Sequence, residues 1–155
     1  MYQLTPCAYT FTHVYMNTMQ QGIQSLHVIG EFIANYAGDL TSEPEAGWDA
    51  VREWASDYKV VKIVSAGGTP DFDEHMEATK AIAKEHNLPF TSFREPDNYD
   101  QITAFGIILT PEAVHEIESA RELILEDNSL SPVERAQKLD DFPLVQHLKQ
   151  FPSAR

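Results

Sequence analysis

The sequence predicts an α/β domain followed by a helical extension, and three observations carry that prediction. Four short runs rich in β-branched and aromatic residues, at 7–15, 58–64, 89–93 and 102–109, read as strands. Segments with the 3.6-residue period of amphipathic helices lie between them. After 110 only helical patterns remain. Strands alternating with helices argue for a largely parallel sheet with helices on its faces.

Taken in order, the first strand spans 7–15, after which Asn17 or Thr18 can cap a helix by accepting from its free N–H groups. The stripe Met19, Ile23, Leu26, Gly30, Ile33 and Ala37 predicts the buried face of that helix, and Gly38-Asp39 ends it. A shorter helix over 45–55 turns Trp48, Val51 and Ala55 inward, and the second strand follows at 58–64. Gly67-Gly68-Thr69-Pro70 forms a turn, and a helix over 72–85 buries Phe72, Met76, Thr79 and Ala83. The third strand, 89–93, leads through a polar loop to 102–109, which is apolar enough to lie at the centre of the sheet. Thr110-Pro111 opens a helix with the stripe Ala113, Ile117, Ala120 and Ile124. Ser131-Pro132-Val133-Glu134 has capping-box form, and Phe142, Val145, Leu148 and Phe151 mark a last segment. This tail is expected to pack back on the domain or to make a homodimer contact.

Composition restricts the partners. The 155 residues hold 24 acidic and 11 basic side chains, for a net charge of −13. Nucleic-acid binders usually carry the opposite sign, because phosphate neutralisation supplies much of their affinity. No run of 18 apolar residues is present, so no membrane partner is expected. The amino terminus lacks a basic stretch followed by an apolar run, so no secretory signal is expected either. Cys7 is the single cysteine, which fits a reducing, cytoplasmic setting.

Several chemical motifs fail on spacing. Gly67-Gly68 has neither nucleotide-loop spacing nor the lysine, and Asp71, Asp73 and Glu74 would repel phosphate there. Six histidines are present without a His-Glu-x-x-His or a cysteine pair, so no metal and no cofactor are expected. There is no Gly-x-Ser-x-Gly elbow, and Cys7, within a strand, reads as a small buried hydrophobe. His27 stands beside the apolar stripe with Gln24 three residues before it. Its plainest reading is a partly buried structural histidine. A functional reading needs a second polar cluster, and Arg94-Glu95-Pro96-Asp97, in a loop after a strand, is the candidate.

Three segments together resemble the type II peptidyl-tRNA hydrolase family. Residues 19–27, Met-Gln-Gln-Gly-Ile-Gln-Ser-Leu-His, are similar to its first helix, where Gln-x-x-His follows a Gly-Lys start. Trp54 followed by Lys59-Val60-Val61-Lys62-Ile63 is similar to its tryptophan-then-strand segment. Leu88-Pro89, then Phe93-Arg94-Glu95-Pro96-Asp97, then Thr103-Ala104 resembles a bacterial and phage-borne branch with an Arg-Glu-Pro-Asp loop. The match runs over 8–109.

The resemblance implies a three-layer α/β/α sandwich with a mixed four-stranded sheet over 1–110, and leaves 111–155 as a helical extension. It implies hydrolysis of the ester joining a peptide or N-blocked amino acid to the 3′ end of tRNA, a partner that the charge of −13 disfavours. In the family a lysine, an aspartate and a threonine serve the chemistry. Their positions here fall at Gln20, Glu95 and Tyr99. The lysine's charge is thus lost, the acid is one methylene longer, and the threonine is replaced, while Gln24 and His27 are retained. The expected catalytic set is His27 as acid/base, Glu95 orienting it, and Gln20. Gln24, Arg94, Asp97, Tyr99 and Thr103 are the expected substrate contacts. The alternative is a module that kept the fold and pocket but binds without chemistry, or a protein-interaction domain.

Overall fold

A computed structural model of the chain describes residues 4–38 and 47–153. Asp39 and Glu45, assigned above to a helix stop and a helix start, lie outside them. Strands β1 (Cys7–Thr12), β2 (Val61–Ser65), β3 (Phe90–Glu95) and β4 (Gln101–Leu109) form one sheet in the order β2-β1-β4-β3. Only β1 and β2 are parallel; β4 runs antiparallel to both of its neighbours. The largely parallel sheet expected from alternation is therefore corrected to a mixed one, as the family resemblance implied. The reason is local: β3 reaches β4 through a tight turn at 96–100, and a short turn can join only antiparallel strands.

The sheet separates two apolar layers. On one side α1 (Thr18–Tyr36) and α2 (Trp48–Glu53), with the single π turn Trp54–Tyr58 that continues α2, cover Ala8, Ala104 and Ile108 with Val28, Phe32, Val51 and Trp54. On the other, α3 (Asp71–Glu85), α4 (Pro111–Glu126) and α6 (Pro143–Lys149) pack Phe72, Ala83, Ile117, Leu144, Val145 and Leu148 onto Tyr9, Phe11, Phe105 and Ile107. A further helix, α5 (Pro132–Asp140), links α4 to α6. The tail thus packs back on the domain. Its N-caps form as the sequence suggests, Thr110 accepting from Ala113 N and Ser131 forming a capping box with Glu134. Arg121, only 2% exposed, was not foreseen in the core; it donates to Glu118, which also accepts from Leu4 N and so pins the amino-terminal segment to α4.

Two strands are shorter or later than their apolar runs. β1 ends at Thr12 because the chain leaves the sheet at His13, whose ring stacks on Phe72 at 3.7 Å. β2 starts at Val61 because Lys59, at φ 54, turns the chain out of the π turn first. There the Trp54 indole N–H donates to Val60 O.

The largest correction concerns α1. Met19 (75% exposed), Leu26 (72%), Ile23 and Ile33 face outward, while Gln21, Ser25, Val28 and Phe32 face the sheet. Both sets follow helical spacing. They lie two positions apart, roughly 200° around the helix. In its first half the inward face carries small or polar groups because α1 lies close to β1 there: Thr10 and Ser25 share a buried hydrogen bond of 2.7 Å. At Gly106 a Cβ would stand 2.7 Å from Val28 Cγ1 and 2.8 Å from the Tyr9 carbonyl oxygen. Backbone on one side and a packed helix on the other leave nothing free to yield. Gly106→Ala is expected to destabilise the fold by about 2 kcal/mol, read as a lower urea midpoint at unchanged m-value; an unaltered midpoint would show that α1 can lift away without cost.

Candidate functional site

The site begins with how α1 is held over β3 and β4. Asn17 and Gln20 close a reciprocal capping box at its start: Gln20 N donates to Asn17 Oδ1 at 3.0 Å, and Asn17 N to Gln20 Oε1 at 3.1 Å. Near its end, Asn35 Nδ2 donates to Thr91 Oγ1 at 2.8 Å, and the Tyr36 hydroxyl both donates to and accepts from the Phe90 backbone. With both ends fixed, the middle of α1 stands above the end of β3.

There Gln24 bridges two residues distant in sequence. Its Nε2 donates to Glu95 Oε2 at 2.7 Å, and its Oε1 accepts from Thr103 Oγ1 at 2.8 Å. The carboxylate fixes which way the amide points. A carboxylate offers no proton to Gln24, so the NH2 end faces Glu95 and the oxygen end faces Thr103. Glu95 and Gln24 are half-buried and Thr103 is buried.

Thr103 reaches this face through a β-bulge. The pairing passes from Phe93↔Ala104 to Arg94↔Ile102, which leaves Thr103 as the extra residue of β4. Simple alternation from Ala104, which lies on the α1 side, would point Thr103 toward α3 and Ile102 toward α1. Instead Ile102 packs on the α3 side and Thr103 bonds to Gln24. Re-aiming a side chain is a recognised use of a bulge.

One turn along α1 from Gln24, His27 is exposed, and its ring lies flat on Phe93 with centroids 4.3 Å apart and planes 9° apart. The expected His27–Glu95 pair is not formed: Glu95 holds Gln24, and His27 is oriented by stacking. Gln20, expected in the catalytic set, is engaged in the helix cap. Asp97 and Tyr99 are exposed in the turn after β3, Tyr99 94% exposed at φ 53, and neither joins the Gln24 cluster. Arg94 points to the other face of the sheet, because neighbouring strand residues alternate. It lines a cleft of about 290 Å³ with His13, Thr69, Asp73, Gln101 and Ile102. The sequence reading missed His13 and Asp73. Their signal was position, since His13 follows the carboxyl end of β1 and Asp73 opens α3, where open α/β sheets place ligands.

Elsewhere the chemistry is sparse. A cleft of about 450 Å³ beside α2 and α4 is lined by Asp49, Glu53, Glu112 and Glu116, a set that repels phosphate. Cys7 is fully buried, and burial pushes its thiol pKa up, against a smaller lowering effect of Lys62. Among the described residues no three His, Cys, Asp or Glu side chains are grouped to hold a metal ion, and no helix is long and apolar enough to cross a membrane. A scan against protein-family models gives no match, and a search of curated proteins finds none either.

Proposed function

We propose that this chain is an ester hydrolase acting in the cytoplasm on a peptide or N-blocked amino acid joined to the 3′ end of tRNA, with Glu95 as general base. The observation that carries the reading is the Thr103–Gln24–Glu95 chain of hydrogen bonds. It holds a carboxylate in one orientation at the surface, with an imidazole on the neighbouring turn of α1. In the step proposed, Glu95 takes a proton from water as its oxygen attacks the acyl carbonyl. The tetrahedral intermediate then collapses with cleavage of the bond to the ribose 3′ oxygen, which receives a proton from His27. The products are a carboxylic acid and a free 3′ hydroxyl. Gln24 is a positioning residue here, and its retention with His27 and the acid is what the family resemblance supports.

A charge of −13 disfavours long tracks of phosphate contacts, so the reading confines recognition to the acceptor tip. It is tested by single-turnover cleavage of N-acetyl-aminoacyl-tRNA, comparing wild type with His27→Ala. A loss of about 100-fold is expected, at the low end of general acid–base contributions, with the melting temperature nearly unchanged because His27 is exposed. Equal rates would remove His27 from the chemistry.

A second reading, a binding module without turnover, draws on one specific observation. Gln20 stands at the position of the family's lysine and its side chain is committed to the helix cap. Among the described residues no cation pairs with Glu95 within 4 Å. Saturable binding of the same tRNA by a folded wild type that never cleaves it would favour this reading.

A further inference from the structure

We propose that the cleft lined by His13, Thr69, Asp73, Arg94, Gln101 and Ile102 is a second binding site, for a small zwitterion that gives a carboxylate to Arg94 and an ammonium group to Asp73. It lies on the α3 side of the sheet and is independent of the Gln24–Glu95 cluster on the α1 side.

Three elements bring opposite charges to one cavity without pairing them. Arg94 comes from β3, Asp73 from the first turn of α3 and His13 from the end of β1. Among the described residues, Arg94 and Asp73 form no ion pair with each other within 4 Å. The Arg94 contact is instead made through NH1, which donates to the Asp100 carbonyl at 3.0 Å and stands 3.9 Å from the exposed Asp100 carboxylate. No hydrogen bond among the described residues engages its Nε or NH2, the edge that matches a carboxylate bidentately. Asp100 thus braces one side of the guanidinium and leaves the fork.

His13 forms the inner wall. Its ring stacks on Phe72, and its Nδ1 is buried without a hydrogen-bond partner among the described residues. Burial lowers its pKa, with the backbone at Ile102 and Gly67 and the Asp73 carboxylate acting the other way. A neutral imidazole leaves the cleft with one cation facing one anion.

The alternatives fit less well. A plain anion would meet the Asp73 carboxylate, and a plain cation would meet Arg94. A volume of about 290 Å³ has room for roughly ten water-sized groups. That is the scale of an α-amino acid or a short ω-amino acid, with Thr69 and Gln101 able to bind its polar remainder.

The test is a titration of the uniformly 15N-labelled full chain with glycine, β-alanine and 4-aminobutyrate, and in parallel with butyrate and butylammonium. At least one zwitterion should give saturable shifts at the Thr69, Gln101 and Ile102 amides, with a Kd on the order of 1 mM. Butyrate and butylammonium should bind at least about tenfold more weakly. Arg94→Gln and Asp73→Asn should each weaken the zwitterion by a similar factor. Both side chains are exposed, so the variants should keep the wild-type spectrum elsewhere. Butyrate binding as tightly as 4-aminobutyrate would make this an anion site and overturn the proposal. Absence of saturable shifts with every zwitterion would do the same.

Discussion

Glu95→Gln is expected to slow single-turnover ester cleavage by about 10³- to 10⁴-fold, the upper part of the range for removing a positioned general base, while the fold stays intact. The hydrogen-bond chain explains why the two readouts should separate. In the wild type the Thr103 hydroxyl donates to Gln24 Oε1, and Gln24 Nε2 donates to Glu95 Oε2. The substituted amide fills nearly the same space and can accept from Gln24 as the carboxylate does. Alternatively Gln24 can turn over, because a threonine hydroxyl accepts as readily as it donates. Either way no buried polar atom need lose its partner, and the stability change should stay within about 1 kcal/mol. The lost quantity is the proton acceptor alone. Glu95→Asp keeps the acid but draws it back from Gln24, so it should fall between the two. Cleavage by Glu95→Gln at the wild-type rate would show that another group activates water. A collapse in melting temperature would show that the carboxylate serves the fold.

The parts of the molecule that were legible in the sequence are those decided by short-range physics. Helix α3 buries Phe72, Thr79 and Ala83 with Met76 packed beside them, β4 is central, and the caps at Thr110 and Ser131 form. Each depends on residues within a few positions of one another. Helix α1 was misread because hydrophobicity ranks residues by their cost in water, whereas its inward face was decided by clearance. Gly106 on β4 and Thr10 on β1 make room for Ser25 and Val28, and those strand residues are remote in sequence. The longer apolar side chains of Met19 and Leu26 were left on the outer face.

The same reasoning divides the candidate site. Gln24 meets residues 71 and 79 positions away, pairings that no local pattern encodes; only the family resemblance named all three partners. Treating Arg94-Glu95-Pro96-Asp97 as one polar cluster overlooked strand alternation, which sends Arg94 and Glu95 to opposite faces. Thr103 is the converse case, since alternation alone would place it on the wrong side and only the bulge at Phe93/Arg94 returns it. Adjacent residues of β3 thus face opposite layers, Glu95 bonded to Gln24 and Arg94 lining the cleft beside α3.

Stability is expected to fall by about 3 kcal/mol as the pH drops from about 6.5 to about 4, through His147 in the tail helix α6. His147 is 7% exposed, between α3 and the chain end. The Thr79 hydroxyl donates to the His75 carbonyl, so its oxygen accepts from His147 Nε2 at 2.7 Å. The Gln150 amide nitrogen lies 2.9 Å from Nδ1, where it donates to the unprotonated nitrogen. Thr79 thus places the ring proton on Nε2, and the Gln150 donor at Nδ1 selects the neutral ring. Burial, and secondarily the charge of His75, push its pKa down to about 4. In the unfolded chain a histidine titrates near 6.5. Between those values the unfolded state binds a proton that the folded state refuses, so stability rises with pH across the window. The contribution is complete above about pH 6.5 and gone below about pH 4. A gap of roughly 2.5 units at about 1.4 kcal/mol each sets the size. His13, also lowered by burial, adds a loss of the same sign. Urea denaturation from pH 7 to pH 4 should therefore give a shallower slope of stability against pH in His147→Gln than in the wild type, whatever its stability at pH 7. Parallel slopes would place the titration elsewhere. The carboxylates with lowered pKa, Asp127, Glu134 and Asp140, begin to lose their stabilising contacts only as the pH falls into the usual carboxylate range, at the lower edge of this window, and that loss is common to wild type and His147→Gln. Since α6 buries Leu144, Val145 and Leu148 in the same core as α3, protonating His147 acts on the contact that holds the tail to the domain.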